Sequence, residues 1–243
     1  MFLFIGFFYV NFLKILFYTK KYKKYIDFLF AWRYNEVVNR RKVMNIRNIK
    51  KQSSEKCKVN SRKLALITLL YLLIITAVES IGLIKLGFNN LTTTISSIGL
   101  LLIYGALVYG FSSVIKLNYN GVEPNVNNLF YGFKVYAKTL VLYLIEMIYV
   151  FLWSLLFVIP GIIKAISYSM AFYIAIDNPN MSAQECLSRS QEMMNGHKWE
   201  YFCLMLSYIG WIILSSLTLG ILSLWVIPKI NTSTYIFYLE INK

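Results

Sequence analysis

The chain has 243 residues, of which 58% are apolar, 17% aromatic and only 15% charged, with a formal charge of +14 and a mean hydropathy of +0.55. Soluble domains run near ~25% charged and ~45–50% apolar. This composition therefore excludes a soluble enzyme, a disordered chain and a secreted disulfide scaffold, and leaves an integral membrane protein.

In chain order, Phe2–Tyr18 is apolar but carries Asn11 and Lys14, and is too short to settle whether it spans a bilayer. It lacks a small-residue cleavage site, which argues against a cleaved signal peptide. Residues 20–63 hold fifteen Lys/Arg against three acids, nearly the whole positive excess. Because this block abuts an apolar run at Leu64, cytoplasmic retention and anionic lipid headgroups explain it better than nucleic acid. Six stretches then approach the ~20 residues that cross ~30 Å of hydrocarbon as a helix. They are Leu64–Ile84, Ile98–Ile115, Val135–Ile159, Gly161–Ile176, Trp199–Leu219 and Ile221–Leu239. Pro160-Gly161 ends the third and opens the fourth, since proline is tolerated in a first helical turn. Gly220 divides the last two, and Pro228 predicts a kink or a later helix start. Gly161, Ala165 and Ser169 recur every four residues, a spacing that lets helices approach closely.

The expected class is an all-α, polytopic membrane bundle of six transmembrane helices, with 1–43 an apolar and basic extension, 44–63 a basic cytoplasmic segment and 64–241 the membrane domain. Lys/Arg bias places 40–63, 116–134, 177–198 and the C-terminus on the cytoplasmic side. The 177–198 stretch holds a short amphipathic helix at the inner interface. Ser182-Ala-Gln-Glu185 is a capping box. Ala183, Cys186, Leu187, Met193 and Met194 share its apolar face, which Ser190 interrupts. Glu185 and Arg189 form an i,i+4 pair, and Gly196 closes the helix in the left-handed region. Phe157–Pro160 and Trp225–Pro228 open similar segments, a candidate repeat of two hairpins. Cys57, Cys186 and Cys203 have no CxxC spacing and read as free thiols.

Ionisable residues in apolar spans are functional candidates. Glu146 lies mid-span and is the first of them, as a ligand, proton or partner contact, or as a neutral carboxyl hydrogen-bonded to Tyr or Ser. Glu79 and Lys164 sit toward the outer ends of their spans and could pair there or snorkel. Lys138 snorkels at the inner end of span three. Asp177 stops span four, and His197 and Lys198 sit at the inner interface. No catalytic constellation, cofactor motif or metal-ligand set is present, so no enzyme activity is expected.

With these parts in place the chain resembles the bacterial integral membrane proteins known as domain of unknown function 975. The resemblance rests on Ile159–Lys164, Tyr168–Met170, Asp177–Pro179, Ser190–Trp199, Leu206–Trp211, Thr218–Gly220 and Trp225–Pro228. It covers roughly Met44 to Ile241 and implies a six-helix membrane domain, with no activity, ligand or catalytic residue to carry over. The membrane domain preceding some glycerophosphodiester phosphodiesterases is similar more loosely. Family members start with a short basic segment such as Met44–Lys51, so 1–43 reads as an extension from a misplaced start or as an extra anchor. The expected location is a bacterial cytoplasmic membrane. The expected partners are the bilayer, anionic headgroups at 20–63 and a membrane-protein partner, with no nucleic acid. The expected role is lipid or partner interaction; the alternative is a small transporter of a lipid-like or peptide solute.

Overall fold

A computed structural model describes residues 44–83, 91–156 and 158–243. Phe2–Tyr18 and the basic residues 20–43 lie outside the described residues, as does the side chain of Glu79. Residues Asn45–Lys243 form one compact unit, and every regular element described in it is helical.

The basic 44–63 segment is more than a charged flank: it folds as helix α1, Ile46–Val59. Asn45 caps it by accepting from the Asn48 amide at 3.0 Å, and Lys56 and Lys58 stand in its last turn, where the helix dipole favours cations. Ile49, Ser53 and Cys57, spaced by four, are buried, while Arg47, Lys51, Glu55 and Lys58 stay exposed. Next come α2, Ser61–Leu83, and α3, Leu91–Tyr119. At 1.5 Å rise per residue the 23 residues of α2 reach about 34 Å, enough to cross a bilayer core. A short 3-10 turn, Val126–Phe130, and a one-turn helix α4, Tyr131–Lys134, lead into α5, Tyr136–Leu156.

The fourth and fifth predicted spans are each broken. Span four is α6, Val158–Tyr168, and α7, Ala171–Asp177. Pro160 is the third residue of α6, so the helix starts two residues before the proline. Helix α8, Ala183–Met193, follows. Span five is α9, Lys198–Leu206, and α10, Ile209–Leu217, and α11 closes the chain over Ser223–Ile241. Pro228 lies inside α11, which begins five residues before it. Leu219 and Gly220 are both left-handed, φ 51° and 85°, and turn the chain between α10 and α11. Breaks in spans four and five, with span six continuous, mean that the two predicted hairpins do not repeat each other in local structure.

Among the described residues five stretches are long and apolar enough to cross a membrane: Ser61–Val78, Leu101–Tyr119, Tyr136–Leu155, Val158–Asp177 and Lys198–Leu217. Helix α11 is not among them, because Asn231–Thr234 interrupts its apolar run. Most of its own residues from Val226 through Tyr238 are buried instead. It packs on α1, α2 and α3, and its polar groups pair with neighbouring helices. Tyr208 and Ser233 hydroxyls meet at 2.7 Å, Tyr201 and Thr234 at 3.4 Å, and Cys57 Sγ and Thr232 at 3.3 Å. Ser53 donates to the Lys229 carbonyl at 2.6 Å. A hydroxyl-rich helix is tolerated in an apolar setting when each group finds such a partner.

Close backbone approach sets the seam between α3 and the 126–134 segment. A Cβ on Gly110 would overlap the Leu129 carbonyl, and one on Gly132 would overlap the Ala106 carbonyl. Gly161 meets Ser154 in the same way between α6 and α5, as the small-residue spacing predicts. Gly110→Ala is expected to destabilise the fold by about 1–3 kcal/mol through overpacking against backbone. Gly210→Ala, where nothing lies within 4 Å, should be neutral or slightly stabilising. Thermal unfolding of the two variants in the same detergent checks the contrast.

Candidate functional site

The amphipathic helix α8 organises the site. Ser182 caps it by accepting from the Glu185 amide at 3.3 Å, and Glu185 reaches back to accept from the Ser182 amide at 2.7 Å. That bond holds the Glu185 carboxyl below its usual range. It also corrects the expected Glu185–Arg189 pair: Glu185 is committed to the cap, and Arg189 turns to Glu192 at 3.8 Å. Gly196 adopts φ 83°, as expected of a helix stop.

Helix α8 packs against α5, α6 and α7, so it folds back along the bundle. Ser190 does not merely interrupt its apolar face. It is fully buried and fills the break in span four: its Oγ accepts from the Met170 amide at 3.2 Å and donates to the Ser167 carbonyl at 2.8 Å. The break in span five is served similarly from α1, where Lys50 Nζ donates to the Ser207 carbonyl at 2.9 Å and sits over the Tyr208 ring at 4.6 Å. Backbone groups released by a broken helix are costly away from water, and in each case a side chain from a neighbouring helix satisfies one or both.

Between α5, α6 and α8 lies a cleft of about 280 Å³. Tyr149 and Trp153 line it from α5, Lys164 and Tyr168 from α6, and polar Gln184, Ser188 and Gln191 from α8. Lys164 Nζ donates to Gln191 Oε1 at 3.1 Å and lies 5.1 Å from the Trp153 ring centre and 5.7 Å from that of Tyr168. Its ammonium thus meets α8. The expected Glu79–Lys164 pair rests on a side chain outside the described residues.

Glu146, on α5, is half-buried and lies within electrostatic reach of the Tyr143, Tyr168 and Tyr201 hydroxyls. Tyr168 also lines the Lys164 cleft, and its hydroxyl is 3.5 Å from Gln191 Oε1. Asp177 is elsewhere and clamps three helices: Lys116 Nζ on α3 donates to its Oδ1 at 2.6 Å, and the Tyr238 hydroxyl on α11 donates to its Oδ2 at 2.6 Å. Lys138 reaches the end of span four. It donates to the Asn178 and Pro179 carbonyls at 2.9 and 3.0 Å, closing the C-terminal end of α7. His197 Nδ1 lies 2.7 Å from Glu200 Oε2, a buried carboxylate whose i+3 spacing could have flagged it in the sequence. Lys198 opens α9 beside this pair. Of the six polar candidates the fold brings Glu146 and Lys164 around Tyr168, and leaves Asp177 and the His197–Lys198 pair in separate places.

The signals missed in the sequence are Gln191 and Ser188. Both read as a solvated face, and only the return of α8 onto α6 turns that face into a cleft wall. Among the described residues no group of three or more His, Cys, Asp or Glu is placed to hold a metal.

A family model described as "Protein of unknown function (DUF975)" matches residues 44–167 and 155–243. No curated protein and no solved structure matches the chain.

Ser190→Ala removes both bonds at the break and leaves a buried amide without a partner, a loss of about 1–3 kcal/mol. Ser188→Ala, exposed on the same helix, should change stability by less than about 0.5 kcal/mol. Equilibrium unfolding of the two variants in mixed micelles checks the difference.

Proposed function

The chain belongs to the DUF975 family, and from that premise we propose that it is a six-helix integral membrane protein that acts by binding lipids or a protein partner and not by catalysing a reaction. The six helices are the five apolar stretches and α11. The supporting observation is helix α1. Its Ile49–Ser53–Cys57 face is buried against the bundle while Arg47, Lys51 and Lys58 remain exposed. Basic side chains held beside apolar spans attract anionic headgroups, at about 1 kcal/mol per cation near the surface. The same charge bias supports a bacterial plasma-membrane protein with α1 and the C-terminus on the cytoplasmic side.

Replacing Arg47, Lys51 and Lys58 together by Gln should reduce several-fold the enrichment of anionic over zwitterionic lipid around the full chain extracted in native lipid particles. Unchanged enrichment would overturn the assignment of lipid binding to α1.

The breaks at Ser169–Met170 and Ser207–Tyr208 favour one second reading, a small transporter, because discontinuous helices form solute sites in membranes. Under it, Glu146→Gln abolishes solute flux into reconstituted vesicles. Flux equal to that of the wild-type chain, or none in either, removes the reading.

A further inference from the structure

We propose that the cleft between α5, α6 and α8 is a binding site for one anionic phospholipid, its phosphate held by Lys164 and Ser188 and its chain lying along α5. The proposal deepens the lipid-binding reading above by giving it a specific site, separate from α1.

Charge carries the first part of the argument. Lys164 is the one side chain lining the cleft with a full charge. Among the described residues it makes no ion pair, only the bond to the neutral Gln191 amide and the two ring contacts. The acids closest in sequence on α8 are engaged elsewhere: Glu185 in its cap and Glu192 with Arg189. An ammonium on aromatic faces, with no carboxylate among the described residues that line its recess, is a half-built anion site. Its Gln191 partner can give up the contact to a better acceptor, because its oxygen also lies 3.5 Å from the Tyr168 hydroxyl.

Shape and polarity identify the anion as a lipid headgroup. The cleft is bounded on one side by a polar helix face, with Ser188 and Gln191 exposed, and on the other by Tyr149 and Trp153 of an apolar span. On the flank of α5 next to these rings Ile148 and Leu152 are exposed. A ligand seated there meets donors at one end and a hydrocarbon-compatible surface at the other. Tyr and Trp are the residues that stand at that boundary in membranes. The volume, about 280 Å³, admits a phosphate with a small substituent and is near the small end of ligand sites, ~300–1,000 Å³.

The test uses the full chain in nanodiscs of phosphatidylcholine with a trace of phosphatidylglycerol, with bound lipid read by native mass spectrometry after transfer to mild detergent. The wild-type chain should retain one phosphatidylglycerol in preference to phosphatidylcholine, and millimolar inorganic phosphate should not displace it. Lys164→Gln should weaken that retention about tenfold, the effect of losing one charge-assisted contact, while Lys164→Arg preserves it. Ser188→Trp keeps the charge but fills the recess from an exposed helix position, and should abolish retention without altering the elution profile. If Lys164→Gln and Ser188→Trp retain phosphatidylglycerol as the wild-type chain does, the site is refuted. Loss of preference only in the α1 triple variant would refute it too, while leaving the lipid-binding function standing. Displacement by free phosphate would show a small-anion site and overturn the lipid assignment.

Discussion

The constraint on which the rest of this fold depends is that a helix broken inside an apolar bundle must still satisfy its backbone. Spans four and five each stop and restart within one or two residues, at Ser169–Met170 and Ser207–Tyr208. In water the freed groups would be hydrated. Here Ser190 supplies both an acceptor and a donor to the first break, and Lys50 supplies a donor to the second. These two side chains come from the amphipathic helices α8 and α1, which fixes where those helices lie. The return of α8 onto α6 then creates the cleft around Lys164. Backbone chemistry, helix placement and the candidate site are thus one chain of causes.

Helix α11 shows the same logic in side chains. Its hydroxyl run Thr232–Ser233–Thr234 would be expensive against lipid, and it sits where Cys57, Tyr208 and Tyr201 each meet one of its groups. The Asp177 clamp joins α3, α7 and α11 at the end of this seam. Its two bonds use both carboxylate oxygens, which makes Asp177 an architectural residue. Glu146 differs from it in kind. It lies within electrostatic reach of the Tyr143, Tyr168 and Tyr201 hydroxyls, and Tyr168 is also a wall of the Lys164 cleft.

Much of the fold was legible because its signals are local. The apolar runs predicted the five stretches that qualify as spans, the Ser182–Glu185 pattern predicted the start of α8, Gly196 predicted a left-handed stop, and Gly220 marked the division between the last two spans. What was not legible has one cause. The partners of Ser190, Lys138 and Lys164 are a carbonyl, an amide or a ring on another element, which a residue's own helix face does not reveal. The Glu185–Arg189 pair gave way because Glu185 turns back to its cap while Arg189 reaches Glu192 instead.

What the sequence by itself determined is the solvent and the helices: too few polar groups for a water-soluble surface, and apolar runs of bilayer length separated by proline, glycine and asparagine. These follow from composition and spacing, which act within a few residues. What only the tertiary structure decided is which polar groups meet. Ser190 with Met170, Asp177 with Tyr238, and Lys164 with Gln191 are separated by 20, 61 and 27 residues. Such pairings depend on how helices fold back on one another, which no local pattern encodes.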